Sequence, residues 1–121
     1  MRKRIGIIDD DEQLSEIITT ILEDEGFSVK RFSDPMFVDV LEKEHFDMVL
    51  LDVWFDTHSD GIQMAQAILN NKKLKKVPIL MMSSDPNLKE YAKKAGVKNY
   101  LKKPIDFTTL LGVIKKLSKL Y

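Results

Sequence analysis

At 121 residues, 44% of them hydrophobic, the chain is long enough to bury one core and too short for two ordinary domains. The absence of cysteine excludes disulfides, thiolate metal sites and a cysteine nucleophile, while no apolar run approaches the ~20 residues of a membrane span. The formal net charge of zero hides a segregation: residues 1–60 carry 16 acidic and 6 basic side chains, residues 61–121 carry 3 and 13.

Two solvated faces or a partner surface would each account for that segregation. The basic residues are not interleaved with aromatics, so direct nucleic-acid binding is not expected. Met1-Arg2-Lys3-Arg4 leads into too few apolar residues for a signal peptide, and a cytoplasmic protein without a membrane anchor is the expectation.

Along the chain, short Ile- and Val-rich runs alternate with stretches of helical spacing. Ile5-Gly6-Ile7-Ile8 predicts a first strand, followed at once by Asp9, Asp10, Asp11 and Glu12. Leu14, Ile17, Ile18, Ile21 and Leu22 then place an apolar stripe on a helix that should stop at Gly26. Phe27-Ser28-Val29 predicts the second strand. Asp34-Pro35 offers an N-cap and a first-turn proline for a helix carrying Met36, Phe37, Val40 and Leu41. Met48-Val49-Leu50-Leu51 predicts the third strand, ending at Asp52, and Ile62, Ala65, Ile68 and Leu69 the third helix. The run from Val77 to Met82 predicts the fourth strand, ending in Ser83-Ser84. Asp85-Pro86 should cap a helix with Leu88, Tyr91, Ala92 and Ala95, closed by Gly96. Asn99-Tyr100-Leu101 predicts the fifth strand and leads into Lys102-Lys103-Pro104; Asp106 should cap a last helix through Phe107, Leu110, Leu111, Ile114 and Leu117. Five nearly continuously apolar strands, each followed by a helix, imply an α/β fold of order (βα)5: a parallel sheet covered on both faces, with residues 1–121 as one unit.

In open α/β sheets ligands bind beyond the carboxyl ends of the strands. That rim collects Asp9 and Asp10, Asp52, Ser83 and Lys103. Asp11 or Glu12 fits a role at the following helix N-terminus and nothing more. Asp9 and Asp10 directly follow an apolar strand, where like charges repel unless a cation joins them. With Asp52 they form an oxygen-only set suited to Mg²⁺ that keeps several waters. Lys103 is either a surface lysine or the compensating cation of the cluster, and its position favours the second. Ser83 either caps the next turn or offers a hydroxyl to a phosphoryl oxygen. Neither G-x-G-x-x-G nor G-x-x-x-x-G-K-[ST] occurs, which removes the dinucleotide-binding and P-loop alternatives.

Ile7-Ile8-Asp9-Asp10, Phe46 to Asp52, Pro78 to Ser84 and Asn99 to Pro104 together resemble, in order and spacing, the receiver domains of response regulators in two-component signalling, the chemotaxis-regulator-like fold. The resemblance covers the whole chain, and it supplies the flavodoxin-like three-layer architecture with strand order 2-1-3-4-5. It implies that Asp52 is the phosphoacceptor, taking a phosphoryl group from a phosphohistidine on a sensor histidine kinase or histidine phosphotransfer protein. By the same resemblance Asp9, Asp10, Asp52 and the Trp54 backbone carbonyl hold Mg²⁺, and Lys103 pairs with the phosphoryl oxygens. Ser83 and Tyr100 become the switch pair, and Pro104 follows a cis peptide bond. The output domain or target protein would engage the face of the fourth helix, fifth strand and fifth helix. The chain departs from the family pattern in the loop Val53 to Gly61, which is one residue longer and lacks the usual proline, and in the shorter stretch from Ser83 to Gly96. His58 in that loop reads as a solvated residue. A non-phosphorylated scaffold is the alternative; a hydrolase would need a carboxylate where Trp54 stands. The implied role is a signalling module, not a metabolic enzyme.

Overall fold

Two pentapeptides buried along their whole length, Met48–Asp52 and Ile79–Ser83, lie side by side at the centre of the molecule. The computed structural model describes residues 2–9, 11–32, 37–52 and 60–120. In chain order the elements are β1 (Arg4–Ile8), α1 (Glu12–Asp24), β2 (Ser28–Phe32), α2 (Phe37–Lys43), β3 (Met48–Asp52), α3 (Asp60–Leu69), β4 (Ile79–Ser83), α4 (Leu88–Ala95), β5 (Asn99–Lys102) and α5 (Phe107–Leu120). The five strands form one parallel sheet in the order β2-β1-β3-β4-β5.

Strand side chains alternate between two apolar layers, as the period of two requires. Ile5, Ile7, Met48, Leu50, Leu80 and Met82 pack with Ile18 and Leu22 of α1 and Leu110, Ile114 and Leu117 of α5. Ile8, Val49, Leu51, Ile79 and Met81 pack on the other face with Leu41 of α2, Ala65 and Ile68 of α3, and Leu88, Ala92 and Ala95 of α4. The result is the expected helix–sheet–helix sandwich. Full burial of each such side chain contributes about 1.5–3 kcal/mol, so the sheet centre dominates the stability.

Two helix ends follow one pattern. After α1, Phe27 N–H donates to the Leu22 carbonyl and Gly26 N–H to that of Glu23; after α4, Val97 N–H donates to Ala92 and Gly96 N–H to Lys93. Both glycines have left-handed backbones, at φ 95° and 84°, and the apolar residue after each is buried, which completes a Schellman closure. At the other ends, the Asp11 carboxylate caps α1 by accepting from Leu14 N–H, and Asp106 accepts from Thr108 and Thr109 N–H at the start of α5.

Four expectations need correction. β2 runs to Phe32 and includes the exposed Lys30 and Arg31, because an edge strand tolerates charge that a central one would not. β4 begins at Ile79, since Val77 is spent in a turn with Leu74 and Pro78 has no N–H to give a ladder. Asp85 does not cap α4: its carboxylate accepts from Asn87 N–H in a turn, and the helix starts at Leu88, two residues beyond the expected Pro86. On α1 the helix turns Ile17 outward, 48% exposed, and buries Ser15 beside Ile18. The Asp34-Pro35 cap and Met36 lie outside the described residues.

Candidate functional site at the carboxyl ends of the strands

Each candidate side chain sits where a strand runs out. Asp9 follows β1 and Asp52 ends β3; both are buried despite their charge. Lys103 follows β5, and its Nζ lies 3.1 Å from Asp9 Oδ2 and 3.5 Å from Asp52 Oδ2. One ammonium thus bridges carboxylates from two neighbouring strands. The Lys103 side chain is 17% exposed, against 0% and 9% for the two carboxylates, so water screens the cluster little.

Burial alone would favour a neutral Lys103, but the attraction of Asp9 and Asp52 and its hydrogen bonds to both outweigh that cost. Its pKa is therefore raised above the ordinary lysine value. The backbone holds the lysine in place, because Lys103 N–H donates to the Ser83 carbonyl at 2.8 Å and the Lys103–Pro104 bond is cis, as expected. Asp9 is fixed independently, its Oδ1 accepting from Asp11 N–H at 2.8 Å.

Ser83 ends β4 one step beyond Met82, the register partner of Asp52, and is 1% exposed. Its Oγ accepts from Asp85 N–H at 3.0 Å, so the turn-capping role is realised. The same oxygen still carries a proton to donate. Tyr100 on β5 points outward at 39% exposure. Asp10, Trp54 and His58 lie outside the described residues.

The donor chemistry fits a hard divalent cation. Two buried carboxylates share one ammonium, so these three side chains sum to one net negative charge, and oxygen-only ligands are what Mg²⁺ prefers. Among the described residues no three acidic or imidazole side chains gather into a metal cluster.

A cleft of about 350 Å³ opens on the far side of Asp9, lined by Glu12, Ser15, Glu16, Arg31 and Phe32. The Ser15 hydroxyl is buried there without a hydrogen-bond partner among the described residues. Sequence reasoning passed over Ser15 and Arg31. The available signal was a serine inside the apolar stripe of α1 and a charge inside β2.

Comparison with known proteins identifies the family. The chain is 30% identical over 118 residues to chemotaxis protein CheY-3 of Vibrio cholerae, covering 94% of this chain and 90% of that protein. It is also 30% identical over 118 residues to the regulatory protein VanRc of Enterococcus gallinarum, covering 95% of this chain but only 49% of VanRc, so the chain spans about half the length of that relative. Among solved structures, a CheY-like receiver domain protein from Methanospirillum hungatei superposes with a TM-score of 0.85 at 24% identity, covering 98% of this chain and 95% of that one. The receiver domain of the sensor histidine kinase PA1611 from Pseudomonas aeruginosa, described with a magnesium ion coordinated in its active site cleft, superposes at 0.87 with 20% identity, covering 98% and 99%. The model of the response regulator receiver domain matches residues 5–115, so this chain belongs to that family and is a receiver domain of two-component signalling.

Proposed function

We propose that Asp52 accepts a phosphoryl group from a phosphohistidine on a histidine kinase or histidine phosphotransfer protein, in a reaction that requires Mg²⁺. The observation that carries this reading is the Lys103 ammonium bridging Asp9 and Asp52 at the ends of their strands. A carboxylate so placed at its strand end can act as a nucleophile, and the ammonium is aimed at where phosphoryl oxygens would add negative charge. Asp9, Asp10, Asp52 and the Trp54 carbonyl would hold the ion, whose chemistry is to neutralise charge that develops during in-line transfer. The magnesium described in the PA1611 receiver supports that choice of ion.

Ser83 would then release the Asp85 amide and donate its hydroxyl to the phosphoryl group, and Tyr100 would turn from its outward position into the space that Ser83 vacates. The signal would leave through the face of α4, β5 and α5, toward an output domain or a separate target protein. Relatives twice as long as this chain favour the former and CheY-3 the latter.

Incubation with acetyl phosphate or phosphoramidate, with and without Mg²⁺, followed by intact mass, tests the reading. One added phosphoryl group is expected in the wild type with Mg²⁺ and none in Asp52→Asn. An unmodified wild type, or an undiminished signal in Asp52→Asn, refutes it.

A further inference from the structure

At the opposite end of the sheet, between α3 and β4, the chain reads Lys72-Lys73-Leu74-Lys75-Lys76. Four lysines in five residues would ordinarily be a mobile solvated run, but here they sit on an ordered turn. Leu74 is buried at 5% exposure and pins the turn to the core beside Ile68 and Ile79. Asn71 organises the rest: its carbonyl accepts from Leu74 and Lys75 N–H at 3.1 and 2.8 Å, and its side-chain oxygen accepts from Lys73 N–H at 2.9 Å. The Asn71 amide in turn donates to Glu42 of α2. All four lysines are exposed, and none makes an ion pair among the described residues.

Beside this ridge lies a cleft of about 340 Å³ with an apolar floor of Leu69, Val77, Pro78 and Val97, and its charged lining among the described residues is Lys75, Lys76 and Lys98. The cleft is of a size that admits one or two side chains. It is separated from the phosphoacceptor rim by the length of β4, about 13 Å at 3.3 Å per residue. α3 ends at Leu69 with no basic residue in its last turn, so the lysines are displayed beyond the helix and not spent on its dipole.

We propose that this ridge and cleft are a docking surface for an acidic protein segment that carries an apolar side chain. Carboxylates of the segment would meet Lys73, Lys75, Lys76 and Lys98, and the apolar residue would enter the cleft. The turn is held in shape before binding, which lowers the ordering cost of association. Lysine without arginine or aromatic neighbours favours a carboxylate-rich partner over nucleic acid, which would seek stacking surfaces. Because the surface is remote from Asp9, Asp52 and Lys103, the partner can stay bound while the acceptor site is modified, and the proposal does not depend on phosphorylation.

The test is titration of ¹⁵N-labelled full chain with a synthetic Glu/Leu dodecapeptide, read by amide shifts and by fluorescence anisotropy of the labelled peptide. Shifts are expected at residues 69–79 and 96–99, with affinity falling about tenfold between low and moderate salt. The triple change Lys73→Glu, Lys75→Glu, Lys76→Glu is expected to weaken binding at least about tenfold, and an all-Glu peptide to bind several-fold more weakly than Glu/Leu. The control is Lys115→Glu, Lys116→Glu, Lys119→Glu on α5, the same charge change elsewhere, which should leave binding within about twofold. Equal loss in the control variant, shifts spread over other faces, tighter binding of a single-stranded oligonucleotide than of the peptide, or no binding at all would each overturn the proposal. So would salt-dependent association of the protein with itself through the same residues in place of peptide binding.

Discussion

Lys103→Met, measured in EDTA, isolates the electrostatic core of the site. At an effective dielectric of about 20, an ammonium 3.1 Å from one carboxylate oxygen and 3.5 Å from another gains about 5 kcal/mol from each. Desolvation of the three groups and repulsion between the two carboxylates cancel most of that sum. Methionine keeps the stem's volume but takes the ammonium away from two buried carboxylates, and removing one member of such a set costs about 3 kcal/mol. With a urea slope of about 2 kcal/mol per molar, the unfolding midpoint at pH 7 should fall by about 1.5 M. The pH dependence follows from the raised pKa. A raised value means that the lysine's contribution is complete below its ordinary 10.5 and is lost as pH climbs through the folded value. The wild-type and variant curves should therefore converge in strong alkali. Adding Asp52→Asn to Lys103→Met removes one of the opposed charges and should recover at least about 1 kcal/mol. A midpoint change below about 0.3 M, or strict additivity in the double variant, would refute the bridging role.

Three further outcomes follow from other parts of the molecule. Asp47 accepts from Arg4 N–H and pairs with His45; burial pushes its pKa up, but these partners outweigh burial and hold it below the usual 3.8. Its stabilisation is thus present above that pH and lost as pH falls through the folded value, so Asp47→Asn should cost about 0.5–1 kcal/mol at pH 7 and almost nothing near pH 2; a pH-independent difference in chemical denaturation would contradict this. A Cβ at Gly6 would stand 3.2 Å from Phe32, 3.5 Å from Phe46 and 3.7 Å from Leu41, in a corner where the two rings already pack edge to face. Gly6→Ala should lower the melting temperature by about 5 °C, corresponding to about 1 kcal/mol, and an unchanged calorimetric midpoint would show that the rings can yield. Ser83→Ala should leave phosphorylation of Asp52 by acetyl phosphate largely intact while abolishing phosphorylation-dependent partner binding; parallel loss of both would remove Ser83 from the switch.

The sheet was the most legible feature because its signal is redundant. β1, β3 and β4 are apolar along most of their length, and each is followed by a stripe of helical period, so neither pattern depends on one residue. Legibility failed where tertiary context overrides local pattern. Lys30 and Arg31 look like a strand end, yet Lys30 is held by Glu44 and the strand is an edge. Ile17 completes an apolar stripe on α1, yet the helix buries Ser15 instead, because the burial arc of a short amphipathic helix is set by what packs on it. Of the site, the rim membership of Asp9, Asp52, Ser83 and Lys103 was readable from strand ends. The bridge was not: the alternation along β5 sets Lys103 on the side of Leu101 and Lys102 with the exposed Tyr100, but it does not show that one ammonium reaches both carboxylates. That reach depends on where the chain leaves β5, which is held by the backbone bond from Lys103 N–H to the Ser83 carbonyl, a contact between two strand ends.

The charge segregation bears on how the site can form. The acidic first half of the chain supplies β2, β1 and β3, and the basic second half supplies β4 and β5, so the sheet order keeps the two halves on opposite sides. The acceptor cluster is the place where they meet: Asp9 and Asp52 come from one half, Ser83 and Lys103 from the other. Lys103 reaches Asp9 across 94 positions of sequence and Asp52 across 51. No fragment that ends before β5 contains the counter-charge, and a sheet lacking β5 would hold two carboxylates in opposition. Closing the last strand therefore relieves repulsion that the central strands create, which couples completion of the fold to completion of the site. The same dependence makes the cluster a sensitive reporter of the α4–β5–α5 side, because any movement of β5 against β4 must change the position of Lys103 relative to both carboxylates.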